Sequence, residues 1–239
     1  MKFNKYIIST VVLLASCSPN YKLQSYDNQV IEVQSDIDST FLTIIKPYQD
    51  KIQDQMNEIL CYSKIEMRKG RPESILGNFV SDLCLNYTDA DICVMNNGGL
   101  RSTLPKGHIT RGDIYTLMPF ENELVVLELD EKSFNELLDY IVLRGGEPFS
   151  GMELISLDGI HNFKISQNHS GNFNDNKKIR VLTSDYLANG GDKMWFFKDK
   201  EQIKVGIKLR DAIINHCNNK DTITSHLDNR LIIEEKNEE

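Results

Sequence analysis

Histidine is scarce in this chain. The five are His108, His161, His169, His216 and His226, scattered in hydrophilic contexts, and none lies in a metal-ligand motif. A two-metal hydrolytic centre needs several histidine and carboxylate ligands converging on the ions. Isolated histidines exclude such a centre and read as surface residues. Basic residues are also in deficit, with 27 Lys and Arg against 35 Asp and Glu and a formal net charge of −8. No basic stripe exists to neutralise a phosphate backbone, so nucleic acid is excluded as a partner. A small phosphorylated ligand is not, because one or two local arginines suffice for it. Beyond Cys17, the cysteines Cys61, Cys84, Cys93 and Cys217 have neither zinc-ligand nor redox spacing. Each sits in an apolar pattern and is expected to be a buried thiol. A disulfide would form only in an exported chain, and no pair is singled out. There is no internal repeat, no low-complexity block and no apolar run long enough to span a bilayer as a mature helix.

What is present begins with a processing segment. Lys2 and Lys5 precede a short apolar run over residues 7–15, which ends Leu13-Leu14-Ala15-Ser16-Cys17. This ending resembles the lipobox of bacterial lipoproteins, in which the cysteine is acylated and becomes the first mature residue. The resemblance implies a signal peptide over residues 1–16, lipidation at Cys17, and an exported, membrane-anchored protein in the periplasm or cell envelope. An ordinary signal peptide that ends in cysteine is the alternative. Several acyl chains on one cysteine anchor firmly, whereas a single chain binds marginally. Residues 17–34 are polar and without period, and read as a tether. Residues 35–235 are enough for one well-buried domain, and 236–239 are a charged tail.

Within that domain Ile37, Phe41, Ile44, Ile45, Tyr48, Ile52, Met56 and Ile59 recur at three and four residues, which predicts one long helix packed on the core. Pro47 should kink or split it. A strand is expected over residues 62–67 and a helix around Leu76, Phe79, Val80, Leu83 and Cys84. Residues 91–95 form a hydrophobic run read as a buried strand. Thr110 looks like an N-cap for a helix over 111–117. A strand over 124–129 precedes Asp130, a second N-cap, and a helix burying Phe134, Leu137, Leu138, Ile141 and Val142. Asp158-Gly159 should join two strands around 154–157 and 160–165 as a hairpin. A strand over 178–182 and a helical stripe over 205–216 follow. Strands and helices mixed without strict alternation predict an α+β fold.

Two stretches carry chemistry. Asn96-Asn97-Gly98-Gly99-Leu100-Arg101 follows the strand over 91–95. Paired glycines let backbone turn sharply and approach a ligand, asparagine offers donors and acceptors, and arginine a planar fork for phosphate or carboxylate. Taken alone, a tight turn explains it equally well. Tyr186-Leu187-Ala188-Asn189-Gly190-Gly191-Asp192 repeats the logic of amide, glycine pair and polar tip.

With Arg71-Pro72-Glu73-Ser74, Leu76-Gly77-Asn78, Asp82, Gly107-His108-Ile109-Thr110, Asp113, Pro119-Phe120-Glu121-Asn122 and Asp228-Asn229-Arg230-Leu231-Ile232 in the same order, these stretches resemble the C-terminal, nucleotide-holding domain of the 5'-nucleotidase family. The resemblance covers roughly residues 30 to 235. It implies a mixed sheet with packed helices, and a base sandwiched between Phe120 and Tyr186, where tyrosine replaces the commoner phenylalanine. Stacking tolerates many bases. Asp192 would accept hydrogen bonds from the ribose hydroxyls. Asn96 would lie beside the base and Arg101 near the phosphate, with Gly98 and Gly99 shaping the turn. Asn122 matches the amide after the Pro-Phe pair, and Glu121 replaces a more usual glycine. The resemblance places a phosphate arginine near Arg71, with Arg68 also close, and a surface arginine is the alternative for both. The family's other half, a metallophosphatase domain with two metal ions, has motifs that this sequence lacks. The resemblance therefore implies no cofactor or metal on this chain, divalent metals on a separate metallophosphatase chain, and this chain as the substrate-holding half in nucleotide catabolism, not active alone. A non-catalytic nucleotide- or nucleoside-binding lipoprotein is the alternative.

Overall fold

The structure is a computed structural model and describes residues 39–165 and 178–234. The expected signal peptide, Cys17, the whole of the expected tether, His169 and the charged tail lie outside the described residues. Chain contacts define two units, residues 1–44 and 45–239. The domain is residues 45–239; of the other unit only residues 39–44 are described, and they open helix α1 (Ser39–Met56).

The centre of the domain is a five-stranded mixed sheet in the order β5-β2-β8-β4-β9. Its strands are β2 (Ile92–Val94), β4 (Glu123–Leu129), β5 (Phe149–Ser150), β8 (Ile179–Ser184) and β9 (Ile203–Lys208). β2 and β8 are parallel, while β4 runs antiparallel to both β8 and β9. Strands β2, β4 and β8 are apolar on consecutive residues because both of their faces are covered. Side chains alternate between the faces at a period of two. Cys93, Leu124, Val126 and Leu182 join one core with α2 (Ile75–Leu85), α3 (Arg111–Leu117) and α6 (Leu209–Asn218). Ile92, Val94, Val125, Leu127, Leu129 and Val181 join a second core with α4 (Glu131–Leu143). This is the expected α+β class.

Two smaller sheets flank the centre. β1 (Ile59–Ser63) lies between β10 (Thr222–Ile223) and β3 (Gly107–Thr110), and β6 (Met152–Leu157) lies between β7 (Ile160–Ile165) and β11 (Leu231–Glu234). β6 and β7 form the expected hairpin. Asp158 and Gly159 take φ of 50° and 78° at its tip, the left-handed pair that a tight two-residue turn requires.

Local signals were read correctly where one face or one cap decided them. Thr110 caps α3 in a reciprocal box with Asp113. The Asp130 carboxylate accepts the Ser133 N–H at 2.9 Å and pairs with Lys200 at 3.0 Å. The hydrogen bonds from Ser133, followed by Lys200, hold the Asp130 pKa down at about 2. Because this folded-state value lies below that of an unfolded aspartate, the stability contributed is present above about pH 4 and is lost as pH falls through the folded value. Asp130→Ala is expected to cost about 1 kcal/mol near neutral pH. In urea titrations the gap between variant and parent should close as pH approaches about 2; a gap unchanged at acid pH would show that the cap is not ionic.

Three expectations are corrected. α1 buries none of its residues, with Tyr48 and Ile52 at 69% and 56% exposure. Its stripe is not covered, and it runs through Pro47 unsplit, while Ile59 belongs to β1. The strand placed over 62–67 ends at Ser63, and Met67 makes only an isolated bridge to Leu104. The helix placed over 205–216 begins at Leu209. Ile203, Val205 and Ile207 alternate along β9 instead, a period-two pattern that the helical reading overran. The four cysteines at 61, 84, 93 and 217 are buried free thiols. His108 and His226 are exposed, whereas His161 and His216 are half-buried, His216 edge-on to the Phe79 ring.

Candidate functional site

Strand directions bring four distant segments to one edge of the central sheet. β2 and β8 are parallel, so the turns that follow them emerge together. β4 is antiparallel, and its first residues lie opposite the last of β8, with Leu124 beside Ser184. β9 runs against β4, which puts Lys208 beside Glu123 at the same edge. Loops there are free to carry polar groups while the sheet holds their bases rigid.

At this edge lies a cavity of about 550 Å³, mostly apolar with a few polar groups, the usual character of a small-molecule site. Eight of the nine binding residues expected from sequence line it: Asn96, Gly98, Gly99, Arg101, Phe120, Asn122, Tyr186 and Asp192. Phe120 and Tyr186 are 41% and 45% exposed. Neither ring is core, so each has a face available for a planar ligand.

Asp192 is the hub. Its two carboxylate oxygens accept hydrogen bonds from the Tyr186 hydroxyl, at 3.0 Å, and from the Asn96 side-chain amide, at 2.5 Å. The Tyr140 hydroxyl donates to its backbone carbonyl at 2.9 Å. Each oxygen retains a second acceptor direction for an incoming hydroxyl. Asp192 is left-handed at φ 50°, and Gly191 before it passes so close to Tyr186 that a Cβ would lie 2.5 Å from the Tyr186 carbonyl oxygen. Only glycine lets Asp192 fold back over the tyrosine.

The other turn is tightened by Gly99, whose N–H reaches the Asn96 carbonyl at 3.1 Å and whose Cβ position would lie 2.8 Å from the Asn96 Oδ1. Arg101 donates to the Gly98 carbonyl at 3.2 Å and sits 6.0 Å from the centre of the Phe120 ring. It keeps further N–H groups for an anion. Asn122 donates to Asp185 at 2.9 Å, and the same oxygen accepts the Tyr186 N–H at 2.8 Å, so the two aromatic segments are tied together.

Arg71 is not brought to the cavity. It pairs with the Glu147 carboxylate at 2.8 Å, and Arg144 approaches the same oxygen at 3.2 Å. The second Glu147 oxygen accepts the Asn97 N–H at 2.6 Å. A carboxylate with a fully buried side chain thus braces the asparagine turn from behind. Sequence reasoning missed Glu147, Met118, Ser184 and Leu209, the last three of which line the cavity. Ser184 had a readable signal as the N-cap of α5 (Asp185–Ala188). The others had none.

Glu121 also lines the cavity, and Lys208 and Arg210 both bond to its carboxylate, holding its pKa down at about 2. It is anionic at any physiological pH. Among the described residues no three His, Cys, Asp or Glu side chains gather where they would hold a metal ion.

Residues 55–199 match the family model described as 5'-nucleotidase, C-terminal domain. The chain belongs to this family. Membership accounts for the mixed α+β fold. An apyrase of Tabanus yao is 24% identical over 250 residues, covering 90% of this chain and 45% of that protein. A 5'-nucleotidase of Vibrio parahaemolyticus is 28% identical over 179 residues, covering 69% of this chain and 31% of that protein. The structure of a 5'-nucleotidase precursor from Thermus thermophilus superposes with a TM-score of 0.69 at 23% identity, over 84% of this chain and 44% of that one. That likeness shows the fold. The chain spans less than half the length of these relatives.

Proposed function

We propose that this chain is the nucleotide-holding half of a 5'-nucleotidase-type phosphohydrolase in nucleotide catabolism, and that a separate metallophosphatase chain supplies the metal ions and the attacking water. The observation that carries this reading is the pair of exposed rings, Phe120 and Tyr186, at one cavity with Asp192 between the tyrosine hydroxyl and Asn96. A base stacks on the rings, the ribose hydroxyls meet the free acceptor directions of Asp192, and Arg101 supplies N–H groups to the phosphate. The described residues do not fit a metal ion, so no step is routed through one on this chain. Its contribution is to hold base, ribose and phosphate in one orientation, an entropic advantage worth several kcal/mol of barrier when the reacting groups are aligned.

The relatives named 5'-nucleotidase and apyrase support the substrate class. We also propose export and anchoring through acylated Cys17. No described helix is long and apolar enough to cross a membrane.

The purified full chain is expected to release no phosphate from AMP with added Mn²⁺ or Zn²⁺, and to raise the rate when mixed with a metallophosphatase chain of the same family. Metal-dependent turnover by the chain alone would overturn the division of labour. Stable AMP binding with no gain for any phosphatase chain would identify the non-catalytic binding protein instead.

A further inference from the structure

Arg210 lies at the first turn of α6 and is only 5% exposed. Its Nη1 donates to the carbonyls of Met118 and Phe120, at 3.4 and 3.3 Å. Its Nη2 bonds the Glu121 carboxylate, and its guanidinium lies 4.2 Å from the centre of the Tyr115 ring. One fork therefore grips three points of the segment 118–121. Pro119 within that segment has no N–H to donate, so carbonyl contacts are the available means of fixing it.

Two facts set this apart from ordinary packing. Arg210 Nε is buried with no partner among the described residues, and a buried donor left unmet costs stability. A purely structural role would be served better by an apolar side chain. Meanwhile the Phe120 ring is 41% exposed, so packing does not fix its direction. The backbone on either side sets where the ring is rooted, and Arg210 holds that backbone through the Met118 and Phe120 carbonyls.

We propose that Arg210 is a positioning residue for base recognition: it clamps the 118–121 backbone so that the Phe120 ring stands ready to stack, and it acts on the base alone, not on the ribose or phosphate. This rests on the nucleotide-holding reading above and extends it to a residue that does not line the cavity. Arg is suited to the task because a planar fork serves several acceptors at once, which lysine cannot do. An ordered ring forgoes the rotamer and loop entropy that a free one would lose on binding.

The test is calorimetric titration of the full chain with AMP and with ribose 5-phosphate, which lacks the base. Wild type should bind AMP more tightly than ribose 5-phosphate. Arg210→Met should weaken AMP by on the order of ten-fold, leave ribose 5-phosphate unchanged, and make a second substitution, Phe120→Ala, nearly free of further loss. Should Arg210→Met not fold, Arg210→Lys keeps the buried charge without the fork and carries the same comparison. Equal weakening of both ligands, or full additivity with Phe120→Ala, would overturn the positioning role while leaving the nucleotide reading intact. Equal binding of the two ligands by wild type would overturn both.

Discussion

Phe120→Ala should weaken AMP binding by about 5- to 150-fold, the equivalent of roughly 1–3 kcal/mol for one stacked base, while leaving the protein as stable as its parent to within about 0.5 kcal/mol. The two halves of this expectation come from the same number. A ring 41% exposed at the mouth of a cavity contributes little to the core, so its removal opens no void. Phe134 and Phe149, at 0% and 1% exposure, are the contrast: truncating either would cost about 3–5 kcal/mol. Tyr186→Phe separates the two functions of the second ring, since it keeps the stacking face and removes the hydroxyl bond to Asp192. Calorimetry with AMP and a urea titration on the same preparation measure both quantities. An AMP affinity unchanged by Phe120→Ala would remove the base sandwich from this cavity. A loss of stability on the core scale would mean the ring packs inside the protein.

Glu147→Ala should lower stability by about 3 kcal/mol and weaken nucleotide binding as a consequence. The Glu147 side chain is fully buried and bonds Arg71, Arg144 and the Asn97 N–H. Deleting it leaves a buried backbone donor without an acceptor and two guanidiniums without their counter-charge. Those arginine side chains are 38% and 46% exposed and recover hydration, which keeps the cost below that of a fully buried pair. The Asn97 N–H cannot do so, and it sits in the turn that presents Asn96 to Asp192. Glu147→Gln, which keeps one oxygen acceptor, should lose less. Urea denaturation of the two variants decides the matter; a Glu147→Ala protein within about 0.5 kcal/mol of its parent would show the brace to be idle.

Eight of the nine expected residues line one cavity, and it was the order of several motifs along the chain, through the family resemblance, that singled them out. A strand of consecutive apolar residues, then amides and a glycine pair, marks a tight turn from neighbouring residues alone. The capped helices α3 and α4 and the hairpin at Asp158 were legible for the same reason: a cap or a left-handed turn is satisfied within a few residues. Arg71 shows where that reasoning stopped. Its position in the motif order placed it near phosphate, yet its carboxylate partner lies 76 residues away, and nothing near it in sequence announces that pairing.

What the chain determined by itself is most of the helices and the central strands, the acidic balance, and the glycines and amides of the turns. These follow from periodicity, turn chemistry and charge, each a property of neighbouring residues. Only the tertiary structure decided which partners those residues meet. Asn96 reaches Asp192 across 96 residues, Asn97 meets Glu147 across 50, and Arg210 grips Phe120 across 90. Such contacts are set by strand order and direction, which bring β2, β4, β8 and β9 to one edge. A hydrogen bond carries no trace of its partner in the sequence around it; only the sheet that closes the distance supplies one.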